Sequence, residues 1–205
     1  MDLGALFAAE AARPLVVCDI DNVLAYQAEA ACTAVNSRFG TSYLTSMMAT
    51  YPVANLFEAE QRQWFNAQAA RGPWILNLAP DREAVGMLGR IRGGGNRVVI
   101  SSDRPPAAAN ATVKWLDAYA VPRDGQVLDG PGSKRAALAV SGPTSPAVLI
   151  DDAPDKWLTI ARAGVEVWCP RRPWTPATWR QYPNVRVFTD WAEVLGRLGL
   201  TSSPS

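Results

Sequence analysis

The run Leu15-Val16-Val17-Cys18-Asp19-Ile20-Asp21-Asn22-Val23-Leu24 constrains this chain more than any other stretch. Four apolar residues followed by acids on alternate positions describe a buried parallel strand that ends in a carboxylate pair at its carboxyl edge. That edge is where open α/β sheets bind ligands. Residues two apart in a strand share a face, so Asp19 and Asp21 would repel each other if the strand continued, and a cation would relieve the repulsion.

Length and composition narrow the function classes. The 205 residues suffice for one generous domain or a domain with one insertion. Lys and Arg total 20 against 19 for Asp and Glu, so no field of one sign is available to hold an extended nucleic acid, while small anionic substrates stay open. No run of eighteen apolar residues occurs, which argues against a membrane-spanning helix and against a membrane partner. Met1 to Ala12 carries Asp2 and Glu10 and no basic start, so a short helix is expected there rather than a secretory signal. Cys18, Cys32 and Cys169 lack metal-site spacing and read as reduced thiols, which places the chain in the cytoplasm. Histidine is absent, so acid–base chemistry falls to carboxylates or lysine.

Along the chain, Ala25 to Phe39 has helical composition stopped by Gly40, Thr41 to Tyr51 is irregular, and Leu56 to Ala70 is helical again. The stretch from about Tyr26 to Arg71 therefore reads as a mostly helical inserted lid. Pro73 to Pro80 is expected as an extended return, and Asp81 to Arg92 as an amphipathic helix with Val85, Leu88 and Ile91 inward. Arg97 to Asp103 is a second strand ending in small hydroxyls, followed by a helix over Ala107 to Tyr119. A short strand at Gln126 to Leu128, a helix over Ser133 to Val140 and a loop at Ser141 to Pro146 come next. The strand Ala147 to Ile150 again ends in two acids, Asp151 and Asp152, with a helix from Pro154 to Ala163 behind it. Val165 to Trp168 and Val185 to Phe188 supply further strands, Trp191 to Leu198 a closing helix, and the residues from Thr201 a frayed tail. Alternation at this spacing predicts an α/β fold with a mostly parallel sheet covered on both faces.

Three strands thus end in Asp19 and Asp21, Ser101 and Ser102, and Asp151 and Asp152, with Lys134 before the last. Carboxyl ends of parallel strands converge on one rim, and hard oxygen ligands there suit Mg²⁺. A carboxylate can attack phosphorus, a second acid can protonate the leaving oxygen, and Ser and Lys are donors to phosphate. Arg104 is a candidate bidentate phosphate clamp. Arg171-Arg172 is expected as a surface loop, and Trp115, Trp157, Trp168, Trp174, Trp179 and Trp191 as packing residues.

In this order the set resembles the haloacid dehalogenase superfamily of phosphohydrolases, across roughly residues 14 to 170. The resemblance implies a Rossmann-like three-layer core over residues 1–25 and 72–200, a helical cap over 26–71 and a flexible tail at 201–205. It implies Asp19 as nucleophile and Asp21 as general acid/base, and phosphate binding by Ser101, Ser102 and Lys134. For Mg²⁺ it implies Asp19, the Asp21 carbonyl, Asp151 and Asp152, with Asp155 as an outer ligand. Asn22 stands where the family usually has glycine; it can keep a left-handed turn and can alter the phosphate pocket. Within the superfamily the likeness is to 5′-nucleotidases acting on deoxyribonucleoside monophosphates, which implies a nucleotide substrate with Trp74 near the base. Tyr26, Tyr43, Tyr51 and Trp64 offer further flat surfaces. Sugar phosphates, nucleic-acid phosphate ends, a non-enzymatic phosphoacceptor and a silent binding module stay as alternatives. Oligomeric state is open.

Overall fold

A computed structural model describes residues 14–139 and 146–200. The β-branched runs form the strands: β1 Leu15–Cys18, β2 Arg97–Ser101, β3 Gly125–Val127, β4 Ala147–Ile150, β5 Glu166–Pro170 and β6 Val185–Phe188. They make one parallel sheet in the order β3-β2-β1-β4-β5-β6. The chain runs outward from β1 in both directions, so β1 and β4 flank the switch point of the sheet.

The fully buried β1 shows why both faces are covered. Val16 and Cys18 enter one core cluster and Leu15 and Val17 the other, as the strand's period of two requires. The first cluster is closed by α4 Arg82–Gly93, α5 Ala109–Ala118 and α8 Trp191–Arg197, through Leu88, Ile91, Trp115, Leu116 and Leu195. The second is closed by α6 Ser133–Ala139 and α7 Pro154–Arg162, through Ala137, Trp157 and Ile160. The result is the expected α/β three-layer core.

Between β1 and α4 lie α1 Gln27–Phe39, two 3₁₀ turns at Thr45–Met47 and Val53–Leu56, α2 Ala59–Ala69 and α3 Gly72–Leu76. Gly40 takes φ 68° and ends α1, while Glu58 and Gln61 cap α2 reciprocally. A third buried cluster joins Ala28, Ala31, Val35, Val53, Phe57 and Phe65, separate from the sheet's two. The chain leaves and re-enters the core at one place: Tyr26 N–H donates to Ala79 O at 3.0 Å and Asp81 N–H to Leu24 O at 2.7 Å.

One segment departs from the sequence reading. Pro73 to Pro80 begins as the helix α3 rather than as an extended return, because Pro73 sits in the first turn, where its missing N–H is no loss, and Ile75 buries itself in the core. The helix expected from Leu56 starts only at Ala59, after the 3₁₀ turn. Of the inward set for α4, Leu88 and Ile91 are buried along with Ala84, and Val85 is partly buried against the same cluster. The expected helix at Met1 to Ala12, the loop residues 141–145 and the tail 201–205 lie outside the described residues.

Asp124, the residue before β3, ties that strand to β2 and to α4. It accepts Val98 N–H at 2.9 Å and Arg92 Nε at 2.7 Å. Partial burial pushes its carboxyl up, and the Val98 N–H and Arg92 outweigh this and leave its pKa lowered. Asp124→Ala is expected to cost about 1 kcal/mol of stability, a typical internal hydrogen bond, and to lower Tm by about 2–4 °C. A folded pKa below the unfolded value of about 4 makes this contribution complete above pH 4 and lost as pH falls through the folded value. Urea unfolding of both proteins at pH 7 and in acid checks it; a difference that grows in acid would contradict it.

Candidate active site

The register of the sheet builds the site. Ile100, Cys18 and Ile150 stand in one row across β2, β1 and β4. The next residues, Ser101, Asp19 and Asp151, therefore emerge side by side at the carboxyl rim. Asp19 N–H still donates to Ile150 O at 2.9 Å, which holds the two acid-bearing strand ends together.

Asp19, Asp151 and Asp152 each present an oxygen within 4.8 Å of the others, and all three are buried. Lys134, brought in on the first turn of α6, lies 2.7 Å from Asp151 Oδ2 and 3.4 Å from Asp19 Oδ1. Burial pushes the Asp19 carboxyl up to about 8, with Lys134 opposing and Asp151 and Asp21 adding to the rise. Asp151 is raised by burial against the pull of Lys134, and Asp152 is raised well above the ordinary range by burial, then by Asp151 and Asp19. Burial lowers Lys134, but Asp19 and Asp151 more than reverse it and leave the ammonium firmly charged.

This donor set fits a hard cation. One ammonium cannot neutralise three buried carboxylates, and Asp152 Oδ1 is buried with no hydrogen-bond partner among the described residues. Oxygen-only ligands of this kind suit Mg²⁺ and related ions.

Asn22 takes φ 57°, the left-handed turn expected of it. The turn carries Asp21 out of the strand's alternation, and its carboxylate stands outside the trio. There Arg104 grips both oxygens, with Nε 3.0 Å from Oδ2 and Nη2 2.5 Å from Oδ1, while Arg104 Nη1 donates to Thr112 at 3.2 Å. Arg104 thus lines the site with its fork on Asp21. Ser101 Oγ is buried without a partner among the described residues, and Ser102 Oγ accepts Arg104 N–H at 3.3 Å.

A cavity of about 330 Å³ opens over these groups. Asp19, Asp21, Ser102, Asp103, Arg104 and Lys134 line it, together with Asp155 and Lys156 of α7. Tyr51 and Pro52 of the helical segment also line it. A larger cavity, about 650 Å³, opens at the amino end of β2 beside Arg92 and Arg97, away from the acid trio.

Trp74 is not among the residues lining the site cavity; its ring packs edge-on against Phe65 at 5.5 Å. Tyr43 donates to Gln61 at 2.9 Å, Trp64 packs on Phe39 and Tyr26 is exposed, so of the aromatics singled out only Tyr51 lines the cavity. Two residues assigned elsewhere belong here. Trp174 packs in the third cluster as expected, and it also donates Nε1 to both the carbonyl and Oδ2 of Asp152 at 3.2 Å. Arg172, expected on a surface loop, donates Nε to Asn22 O at 3.0 Å and Nη2 to the same oxygen. Their signal was place rather than residue type: both follow β5, whose neighbour β4 delivers Asp151.

Scans of the sequence against family models and curated proteins find no match. Solved structures do match. A haloacid dehalogenase-like hydrolase from Streptococcus pneumoniae superposes with a TM-score of 0.66 at 14% identity, covering 91% of this chain and 99% of its own. A haloacid dehalogenase family hydrolase from Deinococcus radiodurans, solved with bound phosphate and sodium, gives 0.67 at 16% identity, with 95% and 100% covered. The D,D-heptose 1,7-bisphosphate phosphatase from Burkholderia thailandensis gives 0.52 at 14%, with 90% or more of each chain covered, 91% and 99%. The fold is the haloacid dehalogenase fold. It is shared over nearly the whole length of each chain, and among the described residues no helix is long and apolar enough to cross a membrane.

Lys134 is the cation closest to the buried acids. Lys134→Met is expected to destabilise the metal-free protein by about 3–5 kcal/mol, the usual cost of stripping one partner from a buried pair. Chemical denaturation in EDTA measures this, and a loss under 1 kcal/mol would contradict the pairing.

Proposed function

We propose that this protein is a Mg²⁺-dependent phosphomonoester hydrolase that works through an aspartyl-phosphate on Asp19, with nucleoside monophosphates as substrates. The observation that carries the reading is Asp19 itself, a buried carboxylate at the sheet's switch point with Lys134 at 3.4 Å and a cavity above it. The 26–71 segment acts as the cap, and the rest of the described chain as the core.

In the first step an Asp19 oxygen attacks phosphorus in line as the bond to the leaving oxygen breaks, and Asp21 gives that oxygen its proton. In the second, Asp21 takes a proton from water, the water oxygen attacks phosphorus, and Asp19 and inorganic phosphate are released. Lys134 and the hydroxyls of Ser101 and Ser102 balance the charge spread over the phosphoryl oxygens. Mg²⁺ held by Asp19, Asp151, Asp152 and the Asp21 carbonyl would neutralise the acids and the incoming phosphate together. Arg104 holds both Asp21 oxygens, so one must come free to meet the leaving group, and the fork aims the other. Tyr51 and Pro52 close the cavity from the cap and offer the leaving nucleoside a flat wall, which supports the nucleotide reading.

Asp19→Asn is expected to abolish phosphate release while the folded circular-dichroism spectrum persists, and EDTA to abolish it reversibly in the wild type. Undiminished turnover in either arm would sink the mechanism. In a panel with Mg²⁺, deoxynucleoside monophosphates are expected to be hydrolysed faster than sugar phosphates or phosphorylated oligonucleotides; the reverse order would reassign the substrate and leave the chemistry standing.

A further inference from the structure

The third acid of the trio is held by groups that answer to the helical segment. Asp152 Oδ2 accepts Asn22 Nδ2 at 3.1 Å and Trp174 Nε1 at 3.2 Å, which leaves Oδ1 as the oxygen without a partner among the described residues. The other arm of the same Asn22 amide, Oδ1, accepts Ala28 N–H at 2.8 Å in the first turn of α1. Trp174 packs its ring into the buried cluster of α1 and α2, among Ala31, Val35, Phe57 and Phe65. Asn22 has no unspent polar atom: its N–H donates to Ala25 O at 2.8 Å and its carbonyl accepts Arg172. A shift of α1 therefore pulls on the amide that fixes Asp152, and a shift of the α1–α2 cluster pulls on the indole that fixes it from the other side.

We infer that Asn22 and Trp174 are positioning residues that couple the packing of the helical segment to the cation affinity of Asp152, an inference that rests on reading the acid trio as a cation site. Outer partners of metal ligands set their orientation and govern affinity. Coupling is reciprocal: if the seating of α1 orients Asp152, a cation bound by Asp152 must stabilise the seating of α1. Glycine at position 22 tolerates the left-handed turn without strain, so Asn22→Gly removes the two side-chain bonds and keeps the turn. Trp174→Phe likewise removes the donor and keeps an aromatic ring in the cluster.

The test is calorimetric titration of the EDTA-treated protein with Mg²⁺, paired with hydrogen exchange over Gln27–Phe39. The wild type is expected to bind Mg²⁺, and Asn22→Gly and Trp174→Phe to bind it about 10-fold more weakly. Mg²⁺ is expected to slow exchange in the first turn of α1 in the wild type and to leave it unchanged in Asn22→Gly. Wild-type affinity in both variants, or equal Mg²⁺ protection of α1 in Asn22→Gly, would overturn the coupling while the cation site stands. A wild type that binds no Mg²⁺ would overturn the cation site and the coupling with it.

Discussion

Three carboxylates buried at the end of adjacent parallel strands are the constraint to which the rest of the molecule answers. Burial raises all three, and repulsion within the trio adds to the rise at Asp19 and Asp152. A fold tolerates such a cluster only with compensating charge and donors. Lys134 supplies the charge from one side of the sheet, Ala153 N–H binds Asp151 at 2.8 Å, and Asn22 and Trp174 serve Asp152. The surplus of acid over ammonium that remains is what suits the rim to a divalent cation.

The strand alternation that puts Asp19 at the rim would, if continued, put Asp21 beside it. The left-handed turn at Asn22 prevents this and leaves the Asp21 carboxylate in the fork of Arg104. Two like side chains two residues apart thus acquire unlike surroundings. Asp19 is packed among acids and Lys134, whereas Asp21 sits partly exposed in a guanidinium fork. Unlike environments for paired carboxylates are what a nucleophile and a proton donor require.

Most of this was legible from residue order. The apolar runs at Leu15, Val98, Ala147, Val167 and Val185 named five strands because buried parallel strands need no alternation to be seen, and Gly40 marked the end of α1 by its own backbone freedom. Asp19, Ser101 and Asp151 converged because register places the ends of parallel strands side by side, and the first turn of α6 brings Lys134 to them. What escaped were contacts made across the fold. Trp174 and Arg172 reach the site from the loop after β5, and nothing in a tryptophan or an arginine says which neighbour it will meet. Pro73 misled because proline forbids a helix interior yet suits a helix start, and only the burial of Ile75 decides between the two.

The point of insertion explains how a helical segment can serve the rim without disturbing the sheet. Tyr26 N–H on Ala79 O and Asp81 N–H on Leu24 O bring the outgoing and returning chain together just beyond the acids, so the sheet meets 26–79 as a single closed excursion. The excursion folds on a buried cluster that it shares with Trp174 of the core, and Tyr51 lines the cavity. Burial, and then the nearby acids Asp152, Asp19, Asp21 and Asp151, push the Tyr51 phenol far above its ordinary value. A phenol is neutral at physiological pH in any case, and the shift extends that neutrality further into alkali, so Tyr51 brings an aromatic surface and a hydroxyl to the cavity without adding negative charge.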